Sequence, residues 1–328
     1  MLNFNPLVNM TPKINLPILI CLMGCSEEHI GYSEQATPTA AWSIPNGDSA
    51  FETGLDTAVL DMTNILPEST ALGFGSAMEC RANQCWITAP FGLEAELYLL
   101  TDQIELIGRF PQGTGISLSQ TESQLYLSGQ DGIYDSNGQI NPIGRTGVIS
   151  CIEDQCAATV QQGLLLDSLQ SSHRPKAIGN DGESWFWQRE NGSLQNSQGT
   201  ISQWSGLEIT VIQVIDNALW VGVPQENCVH RFDRRTLDHQ EAWCHTAFGF
   251  GYSIDLISDS ELLIGAPNAF GGKGYVGHWK DGIELWSQSD LDSGTGFGAQ
   301  VHGFADKIIV GAPNANQGQG CLQLMDWP

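Results

Sequence analysis

Two stretches of this 328-residue chain repeat each other 46 to 47 residues apart, and no other feature restricts its fold as much. One runs Phe248-Gly249-Phe250-Gly251-Tyr252-Ser253-Ile254 and continues through Leu262-Leu263-Ile264-Gly265-Ala266-Pro267-Asn268-Ala269. The other runs Gly296-Phe297-Gly298-Ala299-Gln300-Val301 and continues through Ile308-Ile309-Val310-Gly311-Ala312-Pro313-Asn314-Ala315. A weaker copy has Gly73-Phe74-Gly75-Ser76-Ala77-Met78 and then Cys85-Trp86-Ile87-Thr88-Ala89-Pro90. A partial copy keeps only Leu219-Trp220-Val221-Gly222-Val223-Pro224. A fixed period of this size marks supersecondary units that bury their apolar faces against one another.

Inside one unit the local pattern is β. From Phe248, a first strand is expected to run to Ile257, a second over Leu262–Gly265, a third over Gly274–Trp279 and a fourth over Ile283–Ser287. The last two are joined by Asp281-Gly282, a strong hairpin signal between apolar runs. Four antiparallel strands per unit make a propeller blade. Further units fall at 115–144, 147–175, 177–206 and 207–245. With starts near residues 72, 248 and 295 they number seven, and the uneven short units leave six or eight open. The last unit shows three strands, so closure requires an N-terminal strand, expected near Ala41-Trp42-Ser43-Ile44. The fold class expected is therefore all-β: a β-propeller, seven blades of four antiparallel strands, closed by an N-terminal strand. The 37 Gly and 14 Pro suit such a turn-rich chain and oppose a helical bundle.

The paired Phe-Gly and Gly-Ala-Pro motifs resemble the FG-GAP repeat of the integrin alpha-subunit propeller. That resemblance implies that ligands are taken by the loops following the Gly-Ala-Pro strands, here the segments with Phe91, Asn227, Asn268, Phe270, Asn314 and Asn316. It also implies calcium hairpins between the first two strands of some blades. Calcium needs six to eight oxygen ligands, and the matching hairpins here lack the Asp-rich loop: one is Asp255 to Glu261, another carries Lys307, and two hold Cys-x₄-Cys. No metal or other cofactor is expected.

With 13 Lys+Arg against 37 Asp+Glu the net charge is −24, which repels phosphate backbones and argues against nucleic-acid partners. Residues 1–24 carry one charge, Lys13, ahead of a short apolar run from Leu16 to Met23 broken by Pro17. The run is too short to span a bilayer, and its plan is that of a signal peptide. Leu22-Met23-Gly24-Cys25 resembles a bacterial lipoprotein signal, which implies cleavage before Cys25 and its diacylation. An ordinary secretory signal with a chance Cys is the alternative. The domains are then a signal peptide (1–24), a small polar tether (25–41) and the propeller (42–328). The expected location is exported, lipid-anchored to the cell envelope at the outer membrane.

Export favours disulfides. Cys80-x₄-Cys85 and Cys151-x₄-Cys156 each sit where one strand ends and the next begins, and Cys228 and Cys244 flank a hairpin over Val229–Trp243. Three bridges are expected there, and Cys321 is left unassigned. A zinc site from Cys228, His230, Cys244 and His245 is the alternative, though their spacings are unusual for zinc.

No Ser/His/Asp order or other catalytic set emerges. Gly272-x-Gly274-x-x-Gly277 formally matches a dinucleotide fingerprint but leads into a strand rather than a helix. Asp290-x-Asp292-x-Gly294 reads as a solvated loop. The recurring Trp185, Trp187, Trp220, Trp279 and Trp286 read as packing between blades, with a carbohydrate platform as the alternative. The expected function is a binding or scaffold module for a protein or glycan ligand, not an enzyme. The alternative is an envelope hydrolase or lyase at the channel mouth, which fold analogy alone supports.

Overall fold

Strands of two to eight residues, cut by glycine and polar turns, are too short to stand alone and pair here into seven small antiparallel sheets. The computed structural model describes residues 63–65, 72–81, 84–101, 103–153, 155–166, 169–171, 173–290, 294–304 and 306–327, all within one compact unit, Thr57–Pro328. Cys25, the signal and tether segments, and Asp292 lie outside the described residues.

Blade 1 consists of Ala77–Arg81, Gln84–Ala89, Glu94–Leu100 and Ile104–Pro111, in that spatial order. Blade 2 is Leu118–Gln120, Leu125–Ser128, Ile133–Asp135 and Ile140–Asn141. Blade 3 is Thr146–Ile152, Gln155–Val160, Gly163–Leu166 and Leu169–Ser171. Blade 4 has Ile178–Asn180, Trp185–Gln188 and Leu194–Asn196, with its fourth strand reduced to a single bridge between Gln195 and Ile201. Blade 5 is Val211–Ile215, Ala218–Val223, Cys228–Asp233 and His239–Cys244. Blade 6 is Ser253–Ser258, Glu261–Gly265, Val276–Lys280 and Ile283–Gln288. Blade 7 joins Gln300–Phe304, Lys307–Ala312 and Cys321–Asp326 to Thr63–Ile65, which pairs antiparallel with Leu322, Gln323 and Leu324. First strands neighbour one another from blade to blade around the ring, and blade 7 meets blade 1. The chain is a seven-bladed β-propeller.

Two expectations need correction. The closing strand is Thr63–Ile65, and Ala41-Trp42-Ser43-Ile44 lies outside the described residues. Phe248 to Gly251 is a turn ahead of the first strand, which starts at Ser253. The reason is Gly249 and Gly251, at φ 83° and 88°, a conformation a strand does not use. Elsewhere the strands fall within a few residues of expectation, and Asp281-Gly282 is left-handed at both positions, as a type I′ turn demands.

The core lies between blades. Trp220, Trp243, Phe250, Ile264, Tyr275 and Trp279 fill the seam of blades 5 and 6, and Phe74, Ile87, Tyr98, Ile309 and Leu322 fill that of blades 7 and 1. The repeat motifs explain why the seams are close. Phe250 and Phe297 are fully buried, and the glycine after each abuts the preceding blade. A Cβ on Gly265 would lie 2.2 Å from the Gly298 carbonyl oxygen, and one on Gly222 1.8 Å from that of Gly251. Phe-Gly of one blade thus locks onto a glycine in the last two residues of the second strand of the blade before it.

Candidate functional site

All second strands run toward the same side of the ring. The loops that follow them, and the loops leading into the first strands, share that side, here called the loop face. The hairpins between first and second strands form the opposite, hairpin face. The hairpin face is acidic, with Glu122, Glu153, Asp181, Asp216, Asp259 and Asp306 at or beside successive hairpins.

On the loop face a recess of about 290 Å³ opens where blades 1, 6 and 7 converge. Phe91 and Ser76 come from blade 1, Tyr252, Pro267 and Asn268 from blade 6, and Pro313 and Asn314 from blade 7. Of the loop residues expected from sequence, Phe91, Asn268 and Asn314 meet here. Phe91 is 46% exposed, its ring lying against Gly73, where any Cβ would sit 2.6 Å from it. Phe270 stands outside the lining, 53% exposed and edge-on to Tyr275 at 6.2 Å. Leu93 and Phe248 are further exposed apolar side chains of the same face.

Asn227 and Asn316 play another part. Both have positive φ, 55° and 51°, which asparagine tolerates better than most residues. Asn227 also accepts a hydrogen bond from the Gly249 N–H at 2.7 Å, joining blade 5 to the turn that opens blade 6. These two asparagines shape turns outside the recess. Tyr252 was missed by sequence reasoning. It follows Phe-Gly-Phe-Gly directly, and the signal would have been that entry loops and Gly-Ala-Pro loops share one face.

The three bridges Cys80–Cys85, Cys151–Cys156 and Cys228–Cys244 are present. Each pair sits directly opposite in register, with Cα atoms 4.1 Å apart. Cys321 is buried in blade 7. The Cys228–Cys244 bridge consumes two thiols of the zinc alternative. His230 instead faces Glu226 at 3.2 Å and His239 at 3.1 Å, and His245 stacks on Tyr275. Acids of the hairpin that the resemblance compares with a calcium loop are likewise engaged separately: Asp255 with Gly303 N–H at 2.7 Å, Asp259 with Arg231 at 3.7 Å, and Glu261 with His278 and Lys280. The tryptophans named above pack in the interior, Trp220 being fully buried and Trp286 lying against the blade 7 core.

The channel holds a second polar feature. A cavity of about 900 Å³ is lined by the first strands of blades 1 to 5, with Ser119, Ser150, Asn180, Gln213, Glu79 and Arg81 among its walls. Beside it, Glu79, Asp255 and His302 sit on the adjoining first strands of blades 1, 6 and 7. His302 Nδ1 lies 3.5 Å from Asp255. Desolvation raises the Glu79 carboxyl to about 6, against the pull of His302 and Arg81. Burial works against charge on His302, but its hydrogen bond and attraction to Asp255, with Glu79 and the Met78 backbone, outweigh that and hold its pKa above the usual value. The imidazole is thereby bracketed by partners from both neighbouring blades. Such a cluster fits a clamp across the seams, and its perturbed groups beside a cavity also fit acid–base chemistry.

Comparison with solved structures gives the same architecture. The chain is similar to the computationally designed Ika8 protein, with a TM-score of 0.55 and 12% identity over 80% of this chain and 98% of that one. It is similar to the WD40 beta propeller domain of Doa1, with a TM-score of 0.60 and 12% identity over 80% and 95%. It is also similar to the beta-propeller domain of Myceliophteria thermophila Cps50 (Swd1), with a TM-score of 0.60 and 9% identity over 81% and 100%. No family model matches the sequence, and no curated protein does.

Proposed function

We propose that this chain is an FG-GAP-type propeller of the bacterial cell envelope, exported and held by lipid at Cys25, whose loop face binds a protein or glycan ligand. One observation carries the binding assignment: Phe91, Tyr252, Asn268 and Asn314, from three blades, converge on one recess, with Phe270 exposed nearby. Aromatic rings beside polar groups with spare hydrogen-bonding capacity suit recognition, because they supply large contact area at low entropic cost. The FG-GAP reading rests on the two full motif copies and on the way their halves interlock across the seams. The exported location rests on Leu22-Met23-Gly24-Cys25 and on disulfides, which persist where the surroundings are oxidising. A hydrolase or lyase in the channel is the second reading, and the raised pKa values of Glu79 and His302 at the channel are the observation that favours it.

Capture of partners from envelope extract tests the binding face. Phe91→Ala and Phe270→Ala should each weaken capture about tenfold or more. Both should keep stability within about 0.5 kcal/mol of wild type, as exposed side chains do. Unchanged capture in both variants, with capture lost instead on altering the hairpin face, would move the site to the other side of the ring.

A further inference from the structure

Resting on the loop-face reading, we infer that the recess between blades 1, 6 and 7 is a subsite for a neutral sugar ring. In a chain of net charge −24, no acidic or basic side chain among the described residues lines this recess. An anionic ligand would meet the field of the whole protein with no cation to receive it, and a cationic one would find no carboxylate there. A purely apolar ligand would bury two side-chain amides without partners, which costs about 1–3 kcal/mol for each unsatisfied group.

The hydrogen-bonding groups on offer narrow the choice further. The backbone N–H groups of Gly73, Phe91, Tyr252, Asn314 and Gly318 are already bonded within the protein, and Pro267 and Pro313 have none. The Ser76 hydroxyl is committed to the Gly73 carbonyl at 2.6 Å. A peptide that recognises by adding a strand needs a row of unpaired backbone groups, and five N–H groups of this lining are already engaged. What it presents is the amides of Asn268 and Asn314, neither of which caps the short turn that follows it. Each amide offers two donors and an acceptor, the complement of vicinal hydroxyls.

Aromatic surface completes the match. Phe91 and Tyr252 are partly exposed and come from blades 1 and 6, with blade 7 between them. A pyranose carries C–H groups on its faces and hydroxyls at its rim, so it can lie against a ring while its edge meets the amides. Pockets for small ligands start at about 300 Å³. A recess of about 290 Å³ therefore suits one sugar residue of a longer glycan, or a short glycan alone. The two asparagines occupy the same motif position in consecutive blades and line the same recess.

An array of neutral hexose and N-acetylhexosamine oligosaccharides, beside uronate- and sialate-bearing ones, tests this with the full propeller. Binding is expected among the neutral glycans alone. Calorimetry with the best of them should show affinity falling about tenfold for Asn268→Ala and for Asn314→Ala, or about 1.4 kcal/mol each, and more for Phe91→Ala. Tyr252→Phe should bind like wild type if its ring rather than its hydroxyl is used. Melting curves verify that each variant folds. Failure of every neutral glycan, or binding by anionic glycans alone, overturns the sugar assignment. If Phe91→Ala still weakens capture of an envelope protein, the loop-face reading stands without it. Glycan binding that survives Asn268→Ala, Asn314→Ala and Phe91→Ala together overturns both.

Discussion

Glu79, Asp255 and His302 hold equivalent places in their blades, and the 47-residue offset from Asp255 to His302 is that of the repeat itself. The register was legible; its consequence was not. Only closing the ring brings blade 1 beside blade 7 and puts two carboxylates on either side of one imidazole. Glu79 and His302 both bind protons more tightly when folded. Glu79 is raised from 4.5 to about 6, and His302 lies above 6.5. Their stabilising contribution is therefore present below about pH 4.5, and it is lost as pH rises through 6 and then through the raised His302 value. Thermal midpoints across pH 4.5 to 8 should show wild type falling more steeply than Glu79→Gln, the two curves diverging most between 4.5 and 6. Parallel curves would mean that Glu79 is solvated like an ordinary surface acid. At the same scale, Asn268 and Asn314 were recognised from sequence together with Asn227 and Asn316. Four asparagines after similar strands look alike in the sequence. Backbone dihedrals and hydrogen bonds separate the two that face the recess from the two that shape turns.

Among the elements, hairpins were the most legible, because a strand pair with a tight turn is determined within some ten residues. Asp281-Gly282 and both Cys-x₄-Cys hairpins belong to this class. The third bridge, Cys228–Cys244, spans a sequence separation of 16 against 5 for the other two. Loop-closure entropy grows with the logarithm of the loop, so the longer bridge should contribute about 3 kcal/mol and each short one about 2. Denaturant unfolding of Cys228→Ser/Cys244→Ser and of Cys80→Ser/Cys85→Ser measures the difference. Equal losses, or a larger one for the short pair, would mean that residual structure in the unfolded chain outweighs loop closure. Blade 4 was harder to read, since its fourth strand shrinks to a bridge at Ile201 and offers no apolar run to find.

On the scale of the whole molecule, the closing strand Thr63–Ile65 covers the edge of Cys321–Asp326. An open edge is a template for intermolecular pairing. A chain beginning at residue 72 should melt several degrees lower than one beginning at residue 57 and should aggregate on heating, which light scattering would follow. Matching melting curves would show that closure does not depend on this strand. Its place was misjudged from sequence because three residues carry too little pattern to stand out, and Ala41-Trp42-Ser43-Ile44 looked the better strand by side chains alone. The amino-acid sequence by itself determined the repeat, the strand type and the two Cys-x₄-Cys hairpins, since these depend on short-range periodicity and on turns, while the structure settled seven blades against six or eight and a bridge rather than zinc at Cys228 and Cys244. Tertiary structure alone decided which strand closes the ring, that Phe-Gly of one blade seats on the glycine of the blade before, and that Phe91 and Asn268 share a recess. Those are contacts between residues far apart along the chain. Their geometry follows from ring closure, which no local pattern of side chains encodes.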